Sequence, residues 1–427
     1  MSRSERGGRS SVSPRAARAG LVLVALAGWA VYLWARHRTL NRLLLALGFG
    51  AVPLHDYAYF FYPTGARIFR DPTPVEGFLY SPFAALFFAP FGALPYRASA
   101  AAWAAVLAAS VALLAYESAR PFRGGGRPYA LAAALTLGAV PVLHNLKFGQ
   151  VSVPTVAALL LCVTLYERGR KVPAAACLTF AASFKFYPLA FLSYFVFKRD
   201  GRFLAAAAAF CLLAFVALPA LALGPAAAIA FYGDVFRQIG ERFGAGVADV
   251  NSQSFQSVLG RLAVGRLARL APGVPWAAAL TLLRYALCGL ALWVVAALAA
   301  DPRRRAARYA FLWVFACTPL FVATSWPHYF AYLPAVLVAT LAALPRAPRL
   351  RRPAAFCAVA GALLSNIVVF DLIGNRFTYA RSGALFFADL LALLALALVL
   401  RGRAGVEALP AQPPRQVGVR PAEPSGA

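Results

Sequence analysis

Residues 203–223 read FLAAAAAFCLLAFVALPALAL, and no charged side chain interrupts them. A helix that crosses the hydrocarbon core of a bilayer needs about 20 mostly apolar residues. This stretch therefore predicts a transmembrane helix. Nine other apolar stretches predict helices in the same way: 19–35, 98–116, 128–146, 151–166, 276–300, 307–324, 328–344, 354–370 and 383–400.

A further apolar segment, between Lys171 and Lys198, is interrupted near its middle by Lys185 and Pro188. Proline cannot donate a backbone hydrogen bond and clashes with the preceding helical turn. The segment therefore predicts a broken pair of short helices around Lys185. With this pair included, the sequence predicts an all-α, polytopic membrane fold of about twelve helical segments.

Composition excludes an ordinary soluble protein. Of the 427 residues, 61% are hydrophobic and 13% are charged, and the mean hydropathy is +0.68, whereas roughly a quarter of the residues in soluble domains are charged. The formal net charge is +27, but the arginines stand in short clusters between apolar runs, a pattern that indicates membrane topology rather than nucleic-acid binding. We therefore predict membrane lipids, and no nucleic acid, as partners.

The arginine clusters also predict the orientation, because Lys and Arg concentrate in short cytoplasmic loops. They place both termini in the cytoplasm and the loops 36–97 and 224–275 on the outer face of the cytoplasmic (inner) membrane. The predicted organisation is a disordered basic tail at 1–18, a membrane domain at 19–400 and a second disordered tail at 401–427.

The cysteines and short motifs exclude several function classes. All six cysteines lie in apolar runs without a CxxC pair or a histidine at ligand spacing, which predicts neither disulfides nor a metal site. The sequence contains no Walker loop, GxGxxG or HExxH motif, which argues against nucleotide-driven transport and zinc proteolysis.

On the predicted outer face, Asp56 stands in the aromatic-rich stretch HDYAYFFYPTGARIF, residues 55–69. Its carboxylate is a candidate functional group, although a solvated loop residue or a helix N-cap would explain it equally well. The apolar stretch 78–95 contains three prolines, at 82, 90 and 95, and predicts a re-entrant or interfacial element rather than a span.

Lys185 and His328 are further candidates on that face. A lysine between two half-helices in the outer leaflet is costly unless it pairs or faces water, which favours a phosphate contact over a lysine that reaches toward the headgroups. His328 could hydrogen-bond a phosphate or a sugar, or be an ordinary interfacial histidine. Within the apolar spans, Arg284 and Asp389 predict a structural intramembrane pair.

The order of several motifs along the chain resembles that of glycosyltransferase family 87, a family of polytopic GT-C enzymes that includes polyprenyl-phosphate-mannose-dependent alpha-1,2-mannosyltransferases. The resemblance covers most of residues 50–345. After the outer-loop Asp, the motifs are GARIF, FLYSPFAALFFAPFGALP, KFGQVSVPTVAALLL, ASFKFYPLAFL followed by KRDGR, NSQSFQSVLGRL and SWPHYFAYLPAV.

The resemblance implies a sugar, mannose in the best-known members, carried on a polyprenyl monophosphate and transferred with inversion on the outer face. It implies that Asp56 is the general base and that Lys185 and His328 lie near the donor. The additional segment 39–53 makes the register uncertain, so Asp71 and Glu76 remain rival bases.

The other predicted site residues surround these three. Lys147, Gln150 and Tyr57 are predicted to contact the donor, and Asn251 and Tyr80 to lie on the acceptor side. The lipid-linked sugar is a co-substrate, and neither a cofactor nor a metal is predicted. The predicted acceptor is a glycolipid or a polysaccharide. A transporter or flippase of a lipid-linked saccharide is the alternative function, and a membrane scaffold is a third.

Overall fold

A computed structural model describes residues 54–122, 127–302, 306–344, 350–373 and 376–401. The predicted tail at 1–18, the predicted first helix at 19–35 and nearly all of the predicted C-terminal tail lie outside these residues. The described residues form no strand; their β-type pairing is one isolated bridge between Ala139 and Asn366. The predicted all-helical fold is confirmed for this part of the chain.

The described α-helices are numbered in chain order. They are α1 Tyr62–Arg67, α2 Pro82–Gly92, α3 Tyr96–Ala119, α4 Arg127–Gly138, α5 Val140–Phe148, α6 Ser152–Glu167, α7 Lys171–Phe184, α8 Leu192–Phe197, α9 Gly201–Leu212, α10 Leu218–Leu223, α11 Pro225–Ala248, α12 Phe255–Leu259, α13 Gly265–Leu270, α14 Trp276–Ala300, α15 Ala306–Ala316, α16 Thr318–Phe321, α17 Leu333–Ala343, α18 Arg351–Leu364, α19 Ile367–Leu372, α20 Arg376–Arg381 and α21 Ala384–Arg401. Single π-helical turns lie at Tyr57–Phe61, Leu213–Ala217 and Gly260–Val264, and 3-10 turns at Arg120–Phe122, Tyr187–Phe191 and Pro327–Phe330.

Within the described residues, four helical segments are long and apolar enough to cross a membrane: Tyr96–Phe122, Gly201–Leu223, Trp276–Ala300 and Ala384–Arg401. They correspond to four of the predicted spans, so the protein is a membrane protein. The other apolar helices in this part of the chain are shorter, with 10–17 residues each.

Several predicted spans are interrupted. The stretch 128–146 forms two helices that meet at Ala139, where Val140 N–H donates to Ser365 O across 2.8 Å. Pro141 is at the start of the second helix, and proline has no N–H for the preceding turn. The stretches 307–324 and 354–370 are each divided into two helices as well, with Pro319 in the first turn of the second helix of the former and the Asn366 side chain capping the second helix of the latter.

The predicted break at Lys185 is confirmed. Helix α7 ends at Phe184, Lys185 has extended backbone angles (φ −140, ψ 136), and a 3-10 turn containing Pro188 leads into α8. The predicted re-entrant element at 78–95 contains α2, whose first turn is capped by the Ser81 hydroxyl and begins with Pro82, a residue well suited to the first helical position.

The segment 224–275, predicted as a loop, is mostly helical, because α11 and two shorter helices occupy it. In α11, Ala228, Phe231, Val235 and Gln238 are buried at intervals of three and four residues, the spacing of one helical face. This periodic face explains why the chain forms a helix there and not an irregular loop.

Two glycines hold the Asp56 region against α2. A Cβ atom on Gly65 would lie 2.5 Å from Phe88 O, and one on Gly92 would lie 2.3 Å from Ala66 N. Helices α1 and α2 therefore approach each other at backbone distance. The π-turn Tyr57–Phe61 leads directly into α1, so this contact fixes the segment that follows Asp56.

A buried network of charged side chains lies at the C-terminal end of α3. Glu117, 1% exposed, accepts from Arg120 Nη1 across 2.7 Å and from Thr164 Oγ1 across 2.5 Å. Arg308 donates to Thr164 Oγ1 and to Glu167, so that α3, α6 and α15 are joined. Each buried charge in this network has a partner, which is the condition for tolerating it away from water.

The predicted pairing of Arg284 with Asp389 is wrong. Arg284 Nη1 donates to Gln256 Oε1 across 2.5 Å, and Asp389 Oδ1 accepts from the Tyr332 hydroxyl across 3.0 Å. Each of the two side chains forms a hydrogen bond with a neutral partner from another part of the chain, and not with the other.

Candidate active site

Asp56 immediately precedes the π-turn Tyr57–Phe61 and makes no capping hydrogen bond to it. Its side chain is 16% exposed, so it is neither a helix cap nor a freely solvated loop carboxylate. Its Oδ2 accepts from Gln150 Nε2 across 2.5 Å, and its Oδ1 lies 3.1 Å from His55 Nδ1. Both carboxylate oxygens are thus held in place.

Gln150 is oriented at both ends of its amide. Its Oε1 accepts from the Tyr80 hydroxyl across 3.0 Å while its Nε2 donates to Asp56. The residue follows Gly149, which ends α5 in the left-handed region (φ +67) and whose carbonyl accepts from Trp103 Nε1 across 2.8 Å. The chain Tyr80–Gln150–Asp56 therefore links three segments through hydrogen bonds.

A cavity of about 480 Å³ opens beside this chain. Six of the eight predicted site residues line it: Asp56, Tyr80, Lys147, Gln150, Asn251 and His328. Polar and aromatic lining residues that were not predicted include His144, Gln253, Trp326, Asp371, Phe377 and Tyr379. The cavity therefore has acidic, basic, amide and aromatic groups in its wall, a combination suited to a polar ligand with a charged group.

Lys185 does not line the cavity but lies close to it. Its side chain is buried, and Nζ is 3.7 Å from the centroid of the Tyr329 ring. Nζ has no hydrogen-bond partner among the described residues, although it lies within electrostatic range of Asp56 and His328. A buried cation without hydrogen bonds is costly, so an anionic ligand would satisfy an unmet requirement at this position.

Tyr57 also lies outside the cavity wall. Its hydroxyl hydrogen-bonds to that of Ser99, and its ring stacks on Trp103 with centroids 5.8 Å apart. Burial raises the pKa of Tyr57 to about 12. The residue is a neutral packing element next to Asp56 in the chain.

Two histidine rings lie close together in the cavity wall. The ring centroids of His144 and His328 are 5.5 Å apart, and neither Nδ1 has a hydrogen-bond partner in the described part of the chain. His328 lies in the 3-10 turn Pro327–Phe330. Trp326, just before that turn, is held by a 3.1 Å hydrogen bond from its Nε1 to Asp249 Oδ2. Both Nδ1 atoms are therefore buried polar groups without a hydrogen bond among the described residues.

Asn251 and Gln253 bring the segment after α11 to the cavity. Asn251 Nδ2 donates to Asp249 Oδ1 across 3.1 Å, and Gln253 Nε2 donates to Ala380 O across 2.8 Å. Nothing in the local sequence distinguishes Gln253 or Tyr379 from ordinary loop and helix residues. Their place in the wall depends on contacts between distant segments.

The rival acids lie elsewhere. Asp71, with a side chain 50% exposed, contacts Arg67 and accepts a 2.7 Å hydrogen bond from Thr73. Glu76 is exposed, and neither residue lines the cavity. Asp56 is thus the one of the three candidate bases that faces this space.

No group of three or more His, Cys, Asp or Glu side chains within the described ranges could hold a metal ion. The six cysteines are free.

These features define a helical membrane protein with a polar cavity bordered by the turns that interrupt its helices. The chain belongs to glycosyltransferase family 87, whose sequence pattern matches residues 78–325. The resemblance inferred from the motifs is therefore confirmed. The matched region contains Tyr80, Gln150 and Lys185, whereas Asp56 lies 22 residues before it and His328 three residues after it.

A curated relative is the "Polyprenol-phosphate-mannose-dependent alpha-(1-2)-phosphatidylinositol mannoside mannosyltransferase" of Mycobacterium tuberculosis (strain ATCC 25618 / H37Rv). It is 29% identical over 170 residues, which cover 33% of this chain and 39% of the relative. The match thus spans about two fifths of the length of that relative. No solved structure shows a significant match to the chain.

Proposed function

We propose that the protein transfers a sugar from a polyprenyl-phosphate donor to an acceptor hydroxyl, with inversion at the anomeric carbon and with Asp56 as the general base. The observation that carries this proposal is the Asp56 carboxylate, fixed by Gln150 at the cavity wall and close to the buried, unpaired Lys185. Family membership supports the reaction class.

In this mechanism the acceptor oxygen attacks the anomeric carbon while its proton passes to Asp56. The bond between the anomeric carbon and the phosphate oxygen breaks, and polyprenyl phosphate leaves with that electron pair. Attack and departure on opposite faces of the sugar produce inversion. A positioned general base contributes roughly 10²–10⁴-fold to such a step. The phosphate is already a good leaving group, so no cofactor or metal is required by the proposal.

The departing phosphate gains negative charge and needs cationic or hydrogen-bonding partners. Lys185 and His328 are the proposed partners, because both have buried nitrogen atoms without a hydrogen bond in the described structure. Lys147, in the cavity wall, supplies a further ammonium group. Interactions that strengthen as charge develops lower the barrier, and here they would favour departure of the phosphate.

We propose mannose as the sugar and a glycolipid or polysaccharide as the acceptor. The support for mannose is the relative's name, which specifies a polyprenol-phosphate-mannose donor and a phosphatidylinositol mannoside. Asn251 and Tyr80, both in the cavity wall, are the proposed acceptor-side contacts.

For the membrane topology we propose a GT-C architecture of about twelve helical segments between residues 19 and 400, with cytoplasmic tails at 1–18 and 401–427. The cavity then faces the outer side of the cytoplasmic membrane. Single cysteines at the exposed positions Asp71 and Arg170, in a background without the six native cysteines, test this orientation. A membrane-impermeant maleimide on intact cells should label position 71 and not position 170, and the reverse pattern would contradict the proposal.

The function is tested with Asp56→Asn in membranes supplied with radiolabelled polyprenyl-phosphate-mannose and extracted acceptor lipids. We expect transfer to fall by about 10²–10⁴-fold while donor binding persists. Asp71→Asn is the matched control, since this carboxylate is exposed and outside the cavity, and it should retain activity. Wild-type transfer by Asp56→Asn would eliminate Asp56 as the base. Movement of intact lipid-linked sugar across the membrane without transfer would instead identify a flippase.

A further inference from the structure

The proposed mechanism does not use Gln253, the third residue of the stretch NSQSFQSVLGRL. Its side chain is 1% exposed and lines the cavity of the candidate active site. Its Oε1 atom has no hydrogen-bond partner among the described residues. A buried amide oxygen of this kind is destabilising, because it has lost its contacts with water and has gained none in return. A ligand that brought a hydrogen-bond donor to this oxygen would remove that cost.

The orientation of the Gln253 amide is determined by its neighbours. Its Nε2 donates to Ala380 O across 2.8 Å and lies 3.5 Å from Ser252 O. Both neighbours are carbonyl oxygens, which can only accept hydrogen bonds. If the amide were turned over, Oε1 would face these two oxygens in place of the N–H groups. The atom without a partner is therefore an acceptor, and the group that it needs is a donor.

The backbone around Gln253 is also held in place. The Gln253 N–H donates to Ser325 O across 2.7 Å, and Ser252 Oγ accepts from Ser325 N across 3.3 Å. Arg261 donates to Ser252 O through both of its terminal nitrogens, at 3.0 Å each. The position of Oε1 is thus fixed before a ligand binds, so little conformational entropy is lost when it is engaged.

The hydroxyl groups of a sugar are the donors that a polyprenyl-phosphate sugar offers. Its phosphodiester is an anion that accepts hydrogen bonds, and its hydrocarbon chain has no polar hydrogen. Gln253 is bonded to Ser325, three residues before the proposed phosphate partner His328, and three residues span at most about 11 Å. Both Gln253 and His328 line the cavity. A sugar whose phosphate lies at His328 is therefore on the same side of the cavity as Gln253.

We propose that Gln253 Oε1 accepts a hydrogen bond from one hydroxyl group of the donor sugar and so helps to determine which sugar the protein binds. This proposal rests on the proposed function, because it takes the ligand to be the sugar of a polyprenyl-phosphate donor. A donor that lacks the hydroxyl leaves Oε1 unpaired, and the substitution Gln253→Leu leaves the hydroxyl without its acceptor. Both changes remove the same hydrogen bond, so their effects should not add.

The test compares undecaprenyl-phosphate-mannose with its 2-, 3-, 4- and 6-deoxy analogues. Affinities are measured without acceptor, by displacement of radiolabelled undecaprenyl-phosphate-mannose from purified protein in detergent micelles. We expect the wild type to bind one of the analogues about tenfold more weakly than the parent donor. Gln253→Leu should bind the parent donor about tenfold more weakly than the wild type does, and it should no longer distinguish the parent from that analogue. The other analogues should keep their wild-type ratios to the parent.

Gln256→Leu is the matched control, the same substitution three residues further along, in α12. The Gln256 side chain bonds to Arg284 and Thr281 and does not line the cavity. This variant should keep the wild-type ratios for every donor. If it lost the discrimination as well, the effect would be on the fold of the segment and the proposal would be overturned.

Two other results would overturn the proposal. One is a wild-type protein that binds the parent and all of its analogues alike, which needs no variant to establish. The other is a Gln253→Leu protein that keeps the wild-type discrimination. If Gln253→Leu lost the discrimination in binding while the wild type transferred sugar from no donor, the proposed transfer reaction would fail and the binding role of Gln253 would stand.

Discussion

The hydrogen bond between Gln150 and Asp56 leads to the sharpest prediction. The substitution Gln150→Leu preserves the approximate size of the side chain but removes the donor to Asp56 Oδ2 and the acceptor for the Tyr80 hydroxyl. The carboxylate would then lose one of its two fixed contacts. Gln150 is 5% exposed, and a leucine at this position offers Asp56 no replacement donor.

The expected size follows from the type of bond. A hydrogen bond to a charged group contributes about 1.5–3 kcal/mol, and a factor of ten in rate corresponds to about 1.4 kcal/mol. Gln150→Leu should therefore lower kcat by about tenfold to somewhat more than a hundredfold. Tyr80→Phe removes a neutral hydrogen bond one step further from Asp56, worth about 1 kcal/mol, so we expect a loss of no more than about fivefold.

The assay is transfer of radiolabelled sugar from polyprenyl-phosphate-mannose at saturating donor and acceptor, with protein levels in the membrane matched by immunoblot. Gln150→Leu should lower kcat and leave the donor KM close to that of the wild type, because the substitution acts on the position of the base. If Gln150→Leu instead raised the donor KM and left kcat unchanged, Gln150 would be a donor contact and not a positioning residue. An unchanged enzyme in both measurements would refute both roles.

Two further predictions concern buried charges. Lys185→Met should raise the thermal midpoint of the ligand-free protein, because it removes a buried cation that has no hydrogen bond among the described residues. The same substitution should raise the donor KM by about tenfold or more. A lower midpoint with an unchanged KM would contradict the phosphate role. Burial raises the pKa of Asp200, but hydrogen bonds from Lys171, Tyr166 and the Phe203 amide outweigh it and hold the pKa below its ordinary value of 3.8. The ionised Asp200 therefore stabilises the folded protein above pH 3.8, and this contribution is lost as the pH falls. Asp200→Asn should lower the thermal midpoint at pH 7 and should differ less from the wild type in acid. A difference in midpoint that is constant with pH would contradict this account.

The sequence predicts the helical class and the longest spans because apolar length is a local property. The same property overestimates the continuity of other spans. The break at Ala139 is stabilised by Ser365 and Asn366, which are far away in the chain, and Pro141 is its main local signal. The helix Pro225–Ala248 was missed because an amphipathic period contains too few apolar residues to resemble a span.

The candidate site is likewise predictable from sequence only where the signal is local. Asp56 and Lys185 could be selected from sequence because a charged residue in an apolar setting is unusual. The role of Gln150 could not be assigned, since it depends on a side chain 94 residues away. The donor contact of Gln150 stays a prediction: its amide bonds to Asp56 and Tyr80, and the residue lines the cavity. Tyr57 follows Asp56 in the chain, but its ring stacks on Trp103 and its hydroxyl bonds to Ser99, outside the cavity wall.

The interruptions that shorten the predicted spans are also the features that form the site. Gln150 follows the left-handed Gly149, Lys185 occupies the extended break after α7, and His328 lies in a 3-10 turn. Within a membrane, irregular backbone is tolerated where it is buried in protein or borders a polar cavity. Breaks at these three points therefore bring Gln150 and His328 to the cavity wall and Lys185 close to it. Asp56, which precedes a π-turn, also lines the cavity, so the loss of helical regularity and the presence of a polar cavity have the same structural origin.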